Sequence, residues 1–174
     1  KWTILAYSFK YGDMIRNGAD PQLVTLAKAG KINPWLLEEG LEYPNARLDN
    51  LLIEGETNME AWAKVGDAII KIDGLRKKIG AEFIIITLPD TLQINRTNFD
   101  FYSRIGLKLD NRMLVTDKPQ KLLKELCADR GIPCLDLLPI LRAEKGQEFF
   151  RLNDNHFNSS GCRFVEPVIF DFIL

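Results

Sequence analysis

The sequence is poor in the residues that build metal and redox centres. It holds one histidine, His156, and three cysteines, Cys127, Cys134 and Cys162. One imidazole cannot make a histidine-rich centre, and the thiols lack Cys-x-x-Cys spacing, so no metal site is expected and the cysteines read as core residues. No P-loop, Gly-x-Gly-x-x-Gly or His-Glu-x-x-His pattern occurs, and no cofactor is expected. No apolar run reaches the roughly 18 to 20 residues that a helix needs to cross a bilayer. The opening Lys1-Trp2-Thr3-Ile4-Leu5-Ala6 lacks the long apolar stretch of a secretory leader. The charges nearly cancel, with 23 basic and 24 acidic side chains and a net charge of −1. Without a field of one sign, neither nucleic acid nor an anionic membrane is an expected partner.

What is present is the balance of an ordinary globular chain: 174 residues, 46% hydrophobic and 27% charged, the length of one domain. It opens on Trp2-Thr3-Ile4-Leu5-Ala6-Tyr7, an apolar β-prone run that predicts a buried strand. A first residue already inside a core strand leads to the expectation that the natural protein continues upstream of Lys1. From residue 14 to 58, Asn17-Gly18, Asp20-Pro21, Asn33-Pro34, Glu39-Gly40 and Pro44-Asn45 punctuate short apolar stretches, which predicts short helices in an insertion or cap.

Trp62, Val65, Ile69, Ile72 and Ile79 then recur mostly at steps of three and four, predicting an amphipathic helix from an N-cap at Asn58 to a stop at Gly80. Glu82-Phe83-Ile84-Ile85-Ile86-Thr87-Leu88, a nearly continuous apolar run, reads as a strand buried on both faces, ended by Pro89-Asp90. After a polar stretch from Thr91 to Arg112, a second helix is expected near Asp117-Lys118-Pro119, turning Leu122, Leu123, Leu126 and Cys127 inward and ending at Gly131. Ile132-Pro133-Cys134-Leu135-Asp136-Leu137-Leu138 is a further strand. A last helix from Ser159 to Leu174 carries Phe164, Val165, Val168, Ile169 and Phe172 on one face, kinked or shortened by Pro167. This order predicts an α/β protein with a mainly parallel sheet flanked by helices.

Asp154-Asn155-His156 falls between the last strand and the last helix, on the side of a parallel sheet where ligands bind. A carboxylate two residues before a histidine can turn back to one ring nitrogen, fixing the tautomer, while the other nitrogen takes a proton from a hydroxyl. Asn158 and Gly161 suit a sharp turn into a helix that would hold the pair in place. A histidine in a polar loop is also, more blandly, a surface residue. Asp13, Asp136 and Asp154 would share a metal only if the strand ends brought them together, and Asp136 reads better as a strand-end cap or as a residue that helps orient the loop.

The stretch Leu152-Asn153-Asp154-Asn155-His156-Phe157-Asn158-Ser159-Ser160-Gly161 resembles the last motif block of the SGNH (GDSL-like) hydrolases, in the variants reading Asp-x-His-x-Asn-x-x-Gly. The helix from Lys118 to Arg130, the strand from Gly131 to Leu137 and the earlier strand Phe83 to Pro89 are similar to the elements that lead into that block. The resemblance covers about residues 62–174. It implies a flavodoxin-like three-layer fold and a serine hydrolase, an esterase or a carbohydrate O-acetylhydrolase or acetyltransferase. His156 would be the base and Asp154 its carboxylate, acting on a small-molecule or carbohydrate ester.

Tyr11-Gly12-Asp13 looks like the family's third block, Gly-Asn-Asp, with Gly12 in place of the oxyanion-binding asparagine and Asp13 beside it. In that register the first strands and the nucleophile lie upstream of Lys1. In the other register Ser8, within Ala6-Tyr7-Ser8-Phe9-Lys10-Tyr11-Gly12, is a degraded Gly-Asp-Ser block. Two further readings stand beside the hydrolase: a member of the fold that has lost its chemistry and serves in binding or assembly, and an unrelated α/β domain with a structural Asp-His loop.

Overall fold

The computed structural model describes residues 11–144, 148–151 and 154–174. The expected strand Trp2 to Tyr7 and Ser8 lie outside the described residues. Residues 11–16 are helical. Three helices follow: α1 (Pro21–Lys28), α2 (Pro34–Glu42) and α3 (Ala46–Leu52). Asp20 and Asn33 start the first two by accepting from Gln22 N at 2.8 Å and Trp35 N at 3.0 Å. A proline opens each, where no N–H is needed.

These helices bury Leu23, Val24, Leu36, Leu37, Leu51 and Leu52 against Leu92, Phe99, Phe101, Tyr102, Ile105, Leu107 and Met113. The second group comes from the stretch expected to be polar, which instead supplies seven of the eighteen buried residues of the larger core. Its apolar residues are spread over a 3₁₀ turn (Thr91–Gln93), helix α5 (Phe99–Arg104) and a second 3₁₀ turn (Asn111–Leu114), too short for a readable period. Gly40 sits where α2 crosses residue 105: a Cβ there would lie 1.9 Å from the carbonyl oxygen of Ile105.

The long helix α4 (Glu56–Ile79) starts two residues before Asn58, after Gly55, and ends at Gly80 in the left-handed conformation, φ 67°. Asn58 is inside the helix, and its side-chain amide donates to the Glu54 carbonyl and to Asp49. The apolar stripe expected to point inward is largely open, with Val65, Ile72, Leu75 and Ile79 exposed. Strand β1 (Ile85–Thr87) and strand β2 (Cys134–Asp136) form a parallel pair, Ile85 opposite Cys134 and Thr87 opposite Asp136. Both are shorter than the apolar runs that contain them, and Phe83 to Ile86 are half-buried rather than covered on both faces.

Between the strands runs α6 (Lys118–Arg130), stopped by Gly131 at φ 62°, with Cys127 buried and Leu122, Leu123 and Leu126 half-buried. Helix α7 (Leu138–Ala143) follows β2 directly, and α8 (Ser159–Ile173) closes the chain. Helix α8 runs through Pro167 without being shortened. A second, smaller core joins Leu137, Leu141, Phe149, Phe150 and Val165, with Phe149 stacked on Phe164 at 4.8 Å. The described chain is thus an α/β structure in which helices greatly outweigh one parallel pair of strands. No described helix is long and apolar enough to cross a membrane.

Candidate active site

The Asp154-His156 loop is held from both sides. Phe150 and Phe157 form an antiparallel bridge, and their rings meet at 4.9 Å. Arg151 N donates to the His156 carbonyl at 2.9 Å, and Asn158 N donates to the Phe149 carbonyl at 2.8 Å. Asn158 then starts α8: its side-chain oxygen accepts from Ser160 N at 2.8 Å and Gly161 N at 2.9 Å. Its amide donates back to the carbonyls of Glu148 and Phe150. Gly161 is needed for close approach, since a Cβ would lie 2.3 Å from the Phe149 carbonyl oxygen.

At the tip, His156 Nδ1 and Asp154 Oδ1 are 2.7 Å apart. An ionised carboxylate only accepts, so Nδ1 carries the proton and Nε2 of the neutral ring has a free lone pair. The same Oδ1 accepts from Asn155 N at 2.8 Å, which fixes the carboxylate against its own loop. The Asp154 side chain is 17% exposed and that of His156 71%. The pair therefore has one shielded member and one facing solvent.

Asn155, between them, reaches across to the carboxyl end of β1. Its Oδ1 accepts from Thr91 N at 2.9 Å and its Nδ2 donates to Asp90 Oδ2 at 3.3 Å. Asp90 also accepts from Leu92 N at 2.9 Å and pairs with Arg47. Arg47 donates as well to Glu39, at 2.8 Å, and lies over the Tyr102 ring at 5.8 Å. Burial works against the Arg47 charge, but Asp90 and Glu39 more than offset it and its pKa is raised. The buried Tyr102 phenol is pushed up too, by burial first and then by the Asp90 charge. Beneath, Gln93 and Gln120 exchange hydrogen bonds at 3.0 Å, and Arg142 donates to the carbonyls of Gln93, Leu114 and Thr116.

Asp154, His156 and the β1 end from Thr87 to Asp90 border one open cleft of about 960 Å³. Its walls are mostly apolar, with Trp62, Val65 and Ile69 of α4 facing Phe83 and Leu123. Among the described residues that border it there is no serine; the thiol of Cys162 does border it.

Gly12 and Asp13 are not brought to this place. Both are in the helical residues 11–16, where a strand end was expected, Asp13 pairs with Arg16, and neither is among the described residues bordering the cleft. Nor do Asp13, Asp136 and Asp154 converge: Asp136 caps α7 through Leu138 N at 2.9 Å and takes the Thr87 hydroxyl at 3.3 Å. Among the described residues no cluster suited to a metal ion occurs. Sequence reasoning missed Asn155, Asp90 and Arg47. Pro89-Asp90 at a strand's carboxyl end was a usable signal for Asp90, whereas nothing in the sequence around Arg47 marks its partner 43 residues away. No family model, curated protein or solved structure matches this chain.

Proposed function

We propose that the chain is an SGNH-like serine hydrolase, an esterase or a carbohydrate O-acetylhydrolase or acetyltransferase, with His156 as general base and Asp154 as its orienting carboxylate. The observation that carries the reading is the 2.7 Å contact from His156 Nδ1 to Asp154, at a cleft beside the carboxyl end of a parallel strand, with Nε2 left to take a proton. The nucleophile in this reading is a serine outside the described residues. It attacks the ester carbonyl as His156 takes its proton; the alcohol then leaves with that proton, and water or an acceptor hydroxyl releases the acyl group by the reverse path.

A larger, three-layer sheet fits the same reading. Phe83 to Ile86 are half-buried and the apolar stripe of α4 borders the same cleft, as expected where a further strand and its covering helices belong. The second reading is a binding or assembly module on this fold that has lost its chemistry. The lack of a serine, and of Gly12, among the described residues bordering the cleft favours it.

The natural protein at full length distinguishes the two. The hydrolase reading expects labelling by a serine-reactive fluorophosphonate and hydrolysis of p-nitrophenyl acetate, both lost in His156→Ala. Hydrolysis unchanged in His156→Ala would refute it, and absence of both signals in the parent protein would favour the binding module.

A further inference from the structure

Between the two residues of the proposed base stands Asn155, whose side chain forms its hydrogen bonds elsewhere. It is spent on the opposite wall: Thr91 N at 2.9 Å and Asp90 Oδ2 at 3.3 Å, both at the end of β1. We propose that Asn155 and Asp90, with Arg47 behind them, are positioning residues that lock the Asp154-His156 pair in register with the carboxyl end of β1.

The argument follows the bonds outward. The Asn155 backbone N–H holds Asp154 Oδ1 at 2.8 Å, so fixing Asn155 fixes the carboxylate that receives His156 Nδ1. Asn155 in turn is held by Thr91 N on its oxygen and by Asp90 on its amide nitrogen. The Asp90 carboxylate accepts from Leu92 N at 2.9 Å, and the Asp90 backbone N–H donates to Gln93 Oε1 at 3.1 Å, a reciprocal cap that leaves the carboxylate little rotational freedom.

Its remaining charge is met by Arg47, which bridges Asp90 and Glu39 and so ties α3 and α2 to the same point. A guanidinium has the planar fork for two carboxylates at once; an ammonium has not. The ladder Glu39, Arg47, Asp90, Asn155 thus couples the helices of residues 14–58 to the loop of the proposed base. Those helices, read from the sequence as a cap, here act as a brace. The inference rests on the reading of Asp154 and His156 as a base pair, but its first readout does not depend on activity.

The test uses the natural protein at full length with ¹⁵N-labelled histidine. The His156 signals are those that vanish in His156→Gln. A neutral imidazole in water favours the Nε2–H tautomer, whereas donation from Nδ1 to Asp154 selects Nδ1–H. The proposal expects Nδ1–H in the parent protein, a shift toward Nε2–H in Asn155→Ala, and a smaller shift in Arg47→Lys. It expects kcat for p-nitrophenyl acetate to fall about tenfold or more in Asn155→Ala, with KM unchanged within about twofold.

Asp90→Ala should shift the tautomer as Asn155→Ala does. Should it fail to fold, with Glu39 left as the carboxylate partner of the half-buried Arg47, Asn155→Ala alone decides. A folded Asn155→Ala protein with the parent's tautomer would overturn the proposal, as would a rise in KM at constant kcat, which would make Asn155 a substrate contact. A tautomer shift in a protein without esterase activity would uphold the brace and remove the hydrolase reading.

Discussion

Single residues decide how the Asp154-His156 loop meets its helix. Gly161 was legible as part of a sharp turn, and its steric reason appears only in three dimensions: the first turn of α8 presses on the Phe149 carbonyl. Gly161→Ala should destabilise the protein by about 1–3 kcal/mol, because the atom it meets is backbone and cannot rotate away. Urea denaturation checks this, and an unchanged midpoint would contradict the packing. Gln93 poses a different problem, being a buried amide in a sequence window that gave no sign of burial. Its partners are the Gln120 amide, the Thr116 carbonyl and the Asp90 N–H. Gln93→Leu strands several of them at once and should cost about 2–4 kcal/mol in the same measurement. The contact between His156 and Asp154, the residues of the proposed base, could be expected from their spacing in the sequence. The bonds that run from their loop through Asn155 and Asp90 to Arg47 could not, because these residues meet only through tertiary structure.

At the scale of elements, helix ends were read well wherever glycine stops them. Gly80 and Gly131 both end their helices at positive φ, as expected. The start of α4 was misplaced because Asn58 resembles an N-cap, while its amide in fact braces the turn from Glu54. Helix α8 tolerates Pro167 at an exposed position, where the backbone gives up one hydrogen bond to the preceding turn. Pro167→Ala should therefore stabilise the protein, by up to about 3 kcal/mol, read as a higher denaturation midpoint. A lower midpoint would mean that the ring packs in a way its exposure does not suggest. In α4, Asp73 is held below the usual carboxyl range by hydrogen bonds from Lys77 and then Arg76. A lowered carboxyl pKa contributes stability that is present above the ordinary value of 3.8 and is lost as the pH falls through the lowered one. Asp110, lowered by Arg112, and Asp20, lowered by the Gln22 N–H and then by Arg104, act in the same direction and window. Asp73→Asn should lessen the loss of stability as the pH falls below the ordinary carboxyl value of 3.8; an unchanged pH profile would contradict the pairing.

Across the whole molecule, the strand, helix, strand order from β1 through α6 to β2 was legible because each element has its own period and its own stop. The larger core was not, since it joins residues 14–58 to residues 91–114 through short pieces whose apolar residues follow no lasting pattern. The strands came out shorter and less covered than their apolar runs promise, and the apolar stripe of α4 borders an open cleft rather than a packed layer. That cleft is where the Asp154-His156 pair sits and where the proposed chemistry belongs. The most direct measurement is the rate of p-nitrophenyl acetate hydrolysis by the natural full-length protein and by its His156→Ala and Asp154→Asn variants. The account predicts losses on the order of 10³-fold or more in both, with the fold retained. Hydrolysis at the parent rate in His156→Ala would contradict it.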